Sequence, residues 1–203
     1  MLGQKNAKQL KMRYLGDPVL AAKAKPVEAV TDEIRELSAD MIRLMHEKNG
    51  IGLAGNQVGV LLRIVVIDFS QPEDDDGNPI PPQTPGELEL LPKMPLTLIN
   101  PEIISFSEEQ SGYDEGCLSI PKLYANVMRP AKVVLKTQLL DGSNVMTECG
   151  GLLARVLQHE LDHLDGTVFV QKADEEGYKK IESGIEKLIR KNGPRGFKVK
   201  RLV

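Results

Sequence analysis

The stretch Gln158-His-Glu-Leu-Asp-His-Leu-Asp-Gly166 (QHELDHLDG) holds two of the three histidines of the chain, His159 and His163, four residues apart with Glu160 beside the first. Positions i and i+4 share one face of an α-helix, so both imidazoles can grip one cation while Glu160 leans over it. This is the H-E-x-x-H pattern of zinc hydrolases. Leu152, Leu153, Val156, Leu157, Leu161 and Leu164 supply the apolar positions around it, which makes the helix a buried one rather than a solvated surface helix carrying two histidines. Gly150-Gly151 opens the helix and Asp165-Gly166 ends it.

A helix buried on both sides needs sheets to cover it, and strand-like segments lie before and after it in the chain. Arg63–Asp68 is a short β-branched run, Leu96–Ile99 and Ile103–Phe106 read as strands, and Lys132–Leu140 and Asn144–Glu148 flank the turn Asp141-Gly142-Ser143 as a hairpin. Phe169 closes another short strand. A first helix spans residues 32–48, begun by Thr31 and stopped by Asn49-Gly50, and a last one spans 174–191. These elements predict an α+β fold, with mixed or antiparallel sheets enclosing the central helix, plus a C-terminal helix. We read residues 1–203 as one catalytic domain, with 71–95 as an acidic, proline-rich surface insertion and 192–203 as a basic C-terminal tail.

Composition sets the boundaries of function. The chain has 203 residues, 27% charged and 41% hydrophobic, as expected of a globular protein with its own core. A formal net charge of −3 predicts neither DNA nor a membrane as partner. No segment approaches a signal peptide or a membrane span, so the expected location is the cytoplasm. Two cysteines are too few for a disulfide framework and read as thiols or ligands.

Two histidines do not complete a metal site, and the third ligand is the central question. The metzincin pattern would place a histidine at position 169, which is Phe169. A glutamate from the following helix, Glu182 or Glu186, would make a zinc endopeptidase. His46 has no partner spacing and reads as a polar helix-end residue. Cys149 precedes the helix, which at about 1.5 Å per residue leaves it roughly 12 Å short of His159 along the axis; a small buried hydrophobe is the better reading. Cys117, in Glu115-Gly-Cys-Leu-Ser-Ile-Pro121, stands open between a ligand and a buried structural thiol.

Gly50-Ile-Gly-Leu-Ala-Gly-Asn-Gln-Val-Gly59, with four glycines in ten positions, describes a backbone that something approaches closely. Taken in order, GIGLAGNQVG, EGCLSIP and QHELDHLDG resemble the three signature motifs of the peptide deformylase family, and they span residues 50–166. The resemblance implies hydrolysis of the formyl group from the N-terminal methionine of new polypeptides, with release of formate. It implies Cys117, His159 and His163 as ligands of one divalent ion, Fe(II) first, with zinc, nickel or cobalt as alternatives. Glu160 would be the proton carrier, and the Gln57 amide and the Leu118 backbone N–H the donors to the oxyanion.

The resemblance also implies a formyl-methionyl nascent peptide lying extended along Gly50, Ile51, Gly52 and Gly116, paired like an added strand. Ile51 and Leu157 are candidates for the methionine pocket, with plain core packing as the other reading. Glu115 and Arg129 resemble a pair that braces the loop of Cys117. Two departures stand out: Ala54-Gly55-Asn56 where two alanines are common, and Tyr124 where many members carry a substrate-contacting arginine. The basic tail reads either as a transient ribosome contact or as a solvated helix end.

Overall fold

The computed structural model describes residues 10–202. Helix α1 (Asp32–Glu47) turns Ile34, Ser38, Met41 and Met45 inward. It is followed by β1 (Gly52–Ala54) and β2 (Ile64–Ile67). All four β2 residues are buried because both faces of the strand are covered: Ile64 and Val66 pack toward α1, while Val65 and Ile67 face the core of the second helix layer. Burial on both faces explains a continuous apolar run in place of alternation.

Strands β3 (Leu96–Phe106), β6 (Val133–Leu139) and β7 (Asn144–Cys149) complete an antiparallel five-stranded sheet in the order β1-β2-β3-β6-β7. Strand β7 alternates exposed and buried residues strictly, as a strand with one wet face should. The two strand segments read at 96–99 and 103–106 are one strand, with register shifts between Ile99 and Glu102 and between Ile103 and Ser105. Strands β4 (Gln110–Cys117) and β5 (Ile120–Pro130) form a separate antiparallel hairpin. Its pattern was not legible around EGCLSIP, because β4 is exposed along most of its length and lacks an apolar face.

Helix α3 (Gly151–Leu164) carries the H-E-x-x-H motif and lies between the two sheets. Leu153, Ala154, Leu157 and Leu164 join the core against the five-stranded sheet. On the other side, Gln158 Nε2 donates to Pro130 O (2.9 Å) and Arg155 Nη1 donates to Val127 O (2.9 Å), both on the hairpin. Helix α4 (Glu175–Asn192), with Asp174 as its cap, closes the outer side of the hairpin through Ile181 and Ile185. The expected α+β architecture with an enclosed helix is therefore present.

Three local expectations need correction. Phe169 does not close a strand: residues Phe169–Gln171 make a 3₁₀ turn, in which Gln171 Oε1 accepts from Val168 N–H. Residues 71–83 do lie on the surface, but the rest of the proposed insertion is built into the fold. Thr84 caps α2 (Pro85–Leu90), Leu90 is fully buried, and a Cβ at Gly86 would overlap Cys149 Sγ and Glu148 O. Finally, the tail is held: Leu202 N–H donates to Gln171 O, and Arg201 donates to Ala173 O with its guanidinium 4.8 Å from the Tyr178 ring centroid.

Candidate active site

Helical geometry sets the face that α3 offers. Residues 152, 155, 156, 159 and 160 fall on one side and line a cavity of about 840 Å³. Leu157 lies about 200° around the helix from His159 at 100° per residue, so it points into the core and lines no part of the cavity. Of the apolar residues of α3, Leu152 and Val156 line the cavity, so Leu157 is not placed for the pocket expected of it. Ile51, by contrast, does line the cavity, as do Gly50, Gly52 and Gly116.

The hairpin brings Cys117 to the helix. Ligating atoms of Cys117, His159 and His163 all lie within 4.8 Å of one another, and Cys117 Sγ is 3.2 Å from His163 Nε2. One cation at bonding distances of roughly 2.0–2.3 Å could touch all three. Among the described residues this is the one such His/Cys/Asp/Glu cluster. Glu182 and Glu186 are exposed on α4 and do not join it, which removes the observation on which the endopeptidase alternative depended. Cys149 packs in the core beside α2, and His46 bonds Asp68 at the end of α1. Phe169 is no ligand but stacks on His159, with ring centroids 6.1 Å apart.

A charged network fixes the histidine. His159 Nδ1 is 2.8 Å from Glu115 Oε2, leaving Nε2 for the metal side. Glu115 also accepts from Arg129 Nε (2.6 Å), Arg129 Nη2 (2.9 Å) and Arg155 Nη1 (2.9 Å). Arg129 reaches on to Asp162, which Lys172 also bonds. Burial alone would raise the Glu115 carboxyl, yet the Arg129 and His159 contacts outweigh it and hold the group well below the usual carboxylate range. Burial opposes the charge of His159 too, but hydrogen bonds to Cys117 and Glu115 hold it well above its ordinary value. His163 goes the opposite way, pushed down by burial and by the charges of His159 and Arg129.

Glu160 is 4% exposed, and burial pushes its carboxyl up to about 7. Its Oε2 and the Nδ1 of His163 have no protein partner among the described residues. A buried, unpartnered carboxylate oxygen is costly unless something outside the protein bonds it. Gly52 abuts the same carboxyl: a Cβ there would overlap Glu160 Oε1, so the glycine is a space requirement. Gln57, also buried, donates from Nε2 to Cys117 Sγ (3.4 Å) and accepts from Ala54 N–H (2.7 Å), so it serves its own turn and faces the cluster at once.

Reading the sequence missed Arg155 and Asp162. Arg155 bonds both hairpin strands, Ser111 O on β4 and Val127 O on β5, as well as Glu115. The available signal was a charged residue among the apolar residues that open the helix, one turn before His159. Met12 and Tyr14, which also line the cavity, carried no signal because their neighbours in space come from remote segments.

A proton-accepting carboxylate and a His₂Cys donor set at the floor of an open cavity are the equipment of a metallohydrolase. Comparison with known proteins narrows that class. The family profile described as polypeptide deformylase matches residues 9–179. A peptide deformylase of Acinetobacter baumannii is 38% identical over 91% of this chain and 94% of its own, and one of Dictyoglomus thermophilum is 44% identical over 84% and 97%. Among solved structures, the peptide deformylase of Synechococcus elongatus in complex with actinonin superposes with a TM-score of 0.71 at 36% identity, covering 95% of this chain and 91% of that one. The Thermotoga maritima enzyme gives 0.68 at 32% identity, covering 82% and 98%. The chain belongs to the polypeptide deformylase family.

Proposed function

We propose that the chain, acting as one catalytic domain, removes the N-formyl group from the N-terminal methionine of newly made polypeptides and releases formate. The observation that carries this reading is the convergence of Cys117, His159 and His163 within 4.8 Å, beside the unpartnered Glu160 carboxylate, in a chain of this family. The donor set fits a divalent cation: neutral imidazoles and one thiolate suit Fe(II) and zinc alike, with nickel or cobalt as further occupants. When bound, that ion would supply Lewis acidity at the formyl carbonyl and make water a nucleophile at neutral pH.

The chain's own groups do the rest. Glu160 would take the proton of the attacking water and pass it to the leaving amine nitrogen as the C–N bond breaks. The Gln57 amide and the Leu118 backbone N–H, both on the cavity wall, would donate to the developing oxyanion. Among the described residues strand β1 pairs only with β2 and is the edge of its sheet, so a peptide can add beside Gly50–Gly52. Glu115 and Arg129 brace the Cys117 hairpin against α3.

We place the reaction in the cytoplasm; among the described residues, no helix is long and apolar enough to cross a membrane. A transient ribosome contact through residues 192–203 would rest on Arg195, Lys198 and Lys200, which are exposed, since Arg201 is engaged internally. The function is tested by incubating metal-loaded protein with a formyl-methionyl tripeptide. Formate and a new amino terminus should appear in equal amounts while internal peptide bonds survive. Internal cleavage without formate would overturn the reading.

A further inference from the structure

The chemistry at the cavity floor makes no use of the charge pattern at its mouth. Lys48 just after α1, Lys122 near the start of β5 and Lys191 near the end of α4 come from three remote parts of the chain and line the same cavity. All three are exposed, and none has an ion-pair partner among the described residues. In the first turns of α4, by contrast, Lys179 and Lys180 each bond a glutamate one turn earlier at 2.7 Å.

The carboxylates facing the same space do not balance them. Glu115 is taken up by Arg129, Arg155 and His159, and Glu160 lies at the floor. Asp114 is exposed, with a long contact from Asn126 Nδ2 at 3.4 Å and the charge of Lys180 nearby. Among the described residues the cavity lining therefore presents three exposed lysines without ion-pair partners against one exposed carboxylate, in a chain whose overall formal charge is −3. Lys122 also holds a φ of 65°, a left-handed conformation that a residue with a Cβ adopts only where surrounding structure enforces it.

A peptide whose formyl end sits at the cluster and which runs extended beside Gly50–Gly52 advances about 3.3 Å per residue. Its residues beyond the methionine would leave the cavity past the exposed side chains that line it. We propose that Lys48, Lys122 and Lys191 form a cationic rim that favours formyl-methionyl peptides bearing an acidic side chain at the third or fourth residue. This rests on the deformylase reading of the site. A lysine set that served RNA phosphates would be expected on an outer face; these three converge on the substrate cavity.

Exposed ion pairs are individually weak, so the expected discrimination is about three- to tenfold in kcat/KM. It should act largely through encounter and shrink as salt screens it. The test compares C-terminally amidated tetrapeptides, formyl-Met-Ala-Glu-Ala and formyl-Met-Ala-Ala-Glu, with their lysine counterparts and the all-alanine peptide, on metal-loaded protein at low and high salt. Glutamate peptides should be favoured at low salt, and the preference should collapse at high salt. Lys122→Glu and Lys191→Glu together should reverse it.

The glutamate-to-lysine ratio is taken within one protein preparation, so partial loss of folded variant does not affect it, and the salt series needs no variant. Equal rates for acidic and basic peptides at low salt would overturn the proposal. So would a preference that survives charge reversal, including the case where reversal weakens co-sedimentation with ribosomes and leaves the peptide ratio alone. Formate from the neutral peptide without charge discrimination defeats only the rim. No formate from any peptide defeats the deformylase reading itself.

Discussion

The imidazole of His159 on α3 and the carboxylate of Glu115 on β4 meet at 2.8 Å, and this contact joins the two halves of the site. One half is the helix with both histidines; the other is the hairpin with Cys117. Glu115 gathers Arg129 and Arg155 onto the same carboxylate, so its charge is compensated and its position set from both sides.

Glu115→Gln leaves Arg129 and Arg155 short of a buried counter-charge and should cost about 3–5 kcal/mol of stability at neutral pH. The Glu115 carboxyl is held below its ordinary 4.5, so its contribution is complete above that pH and is lost as pH falls from there toward the folded-state value. Urea unfolding should show a wide gap between the two proteins at neutral pH that narrows in acid. A constant gap would contradict the assignment.

Arg155→Met should loosen the hairpin from α3 while keeping the core of both. Outer partners of metal-binding histidines typically matter about 10- to 100-fold in affinity, and the loss here should lie in that range. Arg155→Lys should recover part of it, restoring charge without the reach to both Ser111 O and Val127 O. Competition with a chromogenic chelator measures the affinities. Unchanged metal binding in both variants would remove Arg155 from the support of the site.

Gly52→Ala places a methyl group where the Glu160 carboxyl lies. Metal content should stay near wild type while kcat falls by about 10²-fold or more, the scale on which misplaced proton carriers act. Parallel loss of metal and activity would point instead to a collapsed cluster.

The two thiols should separate on metal removal. Cys149 is fully buried, and burial first, then Glu87, pushes its thiol up to about 12, so iodoacetamide should spare it in the folded protein. Cys117, at the cavity wall, should be protected in metal-loaded protein and alkylated after chelation. Peptide mapping reads both; equal labelling of Cys149 would contradict its placement.

What could be read in the sequence followed period and spacing. The four-residue spacing of His159 and His163, the β-branched run of β2 and the alternation of β6 and β7 are local signals, and each element is present. The β4–β5 hairpin was not legible, since its exposed strand has no apolar face and its register shifts between Glu115 and Cys117. Leu157 was misplaced because apolar residues on a helix enclosed on both sides do not say which side faces a cavity. α2 was hidden by a proline-rich approach, although Leu90 anchors it in the core. Cys117 as a ligand came from likeness to a family, since no spacing rule joins a hairpin to a helix.

Glu160 is assigned to move the proton in a site held by Cys117, His159 and His163. The most direct test is formate release from a formyl-methionyl peptide by Glu160→Gln, with metal content measured on the same sample. One bound metal per chain and formate release reduced at least about 10²-fold are expected. A metal-replete variant that releases formate at close to the wild-type rate would contradict that role of Glu160.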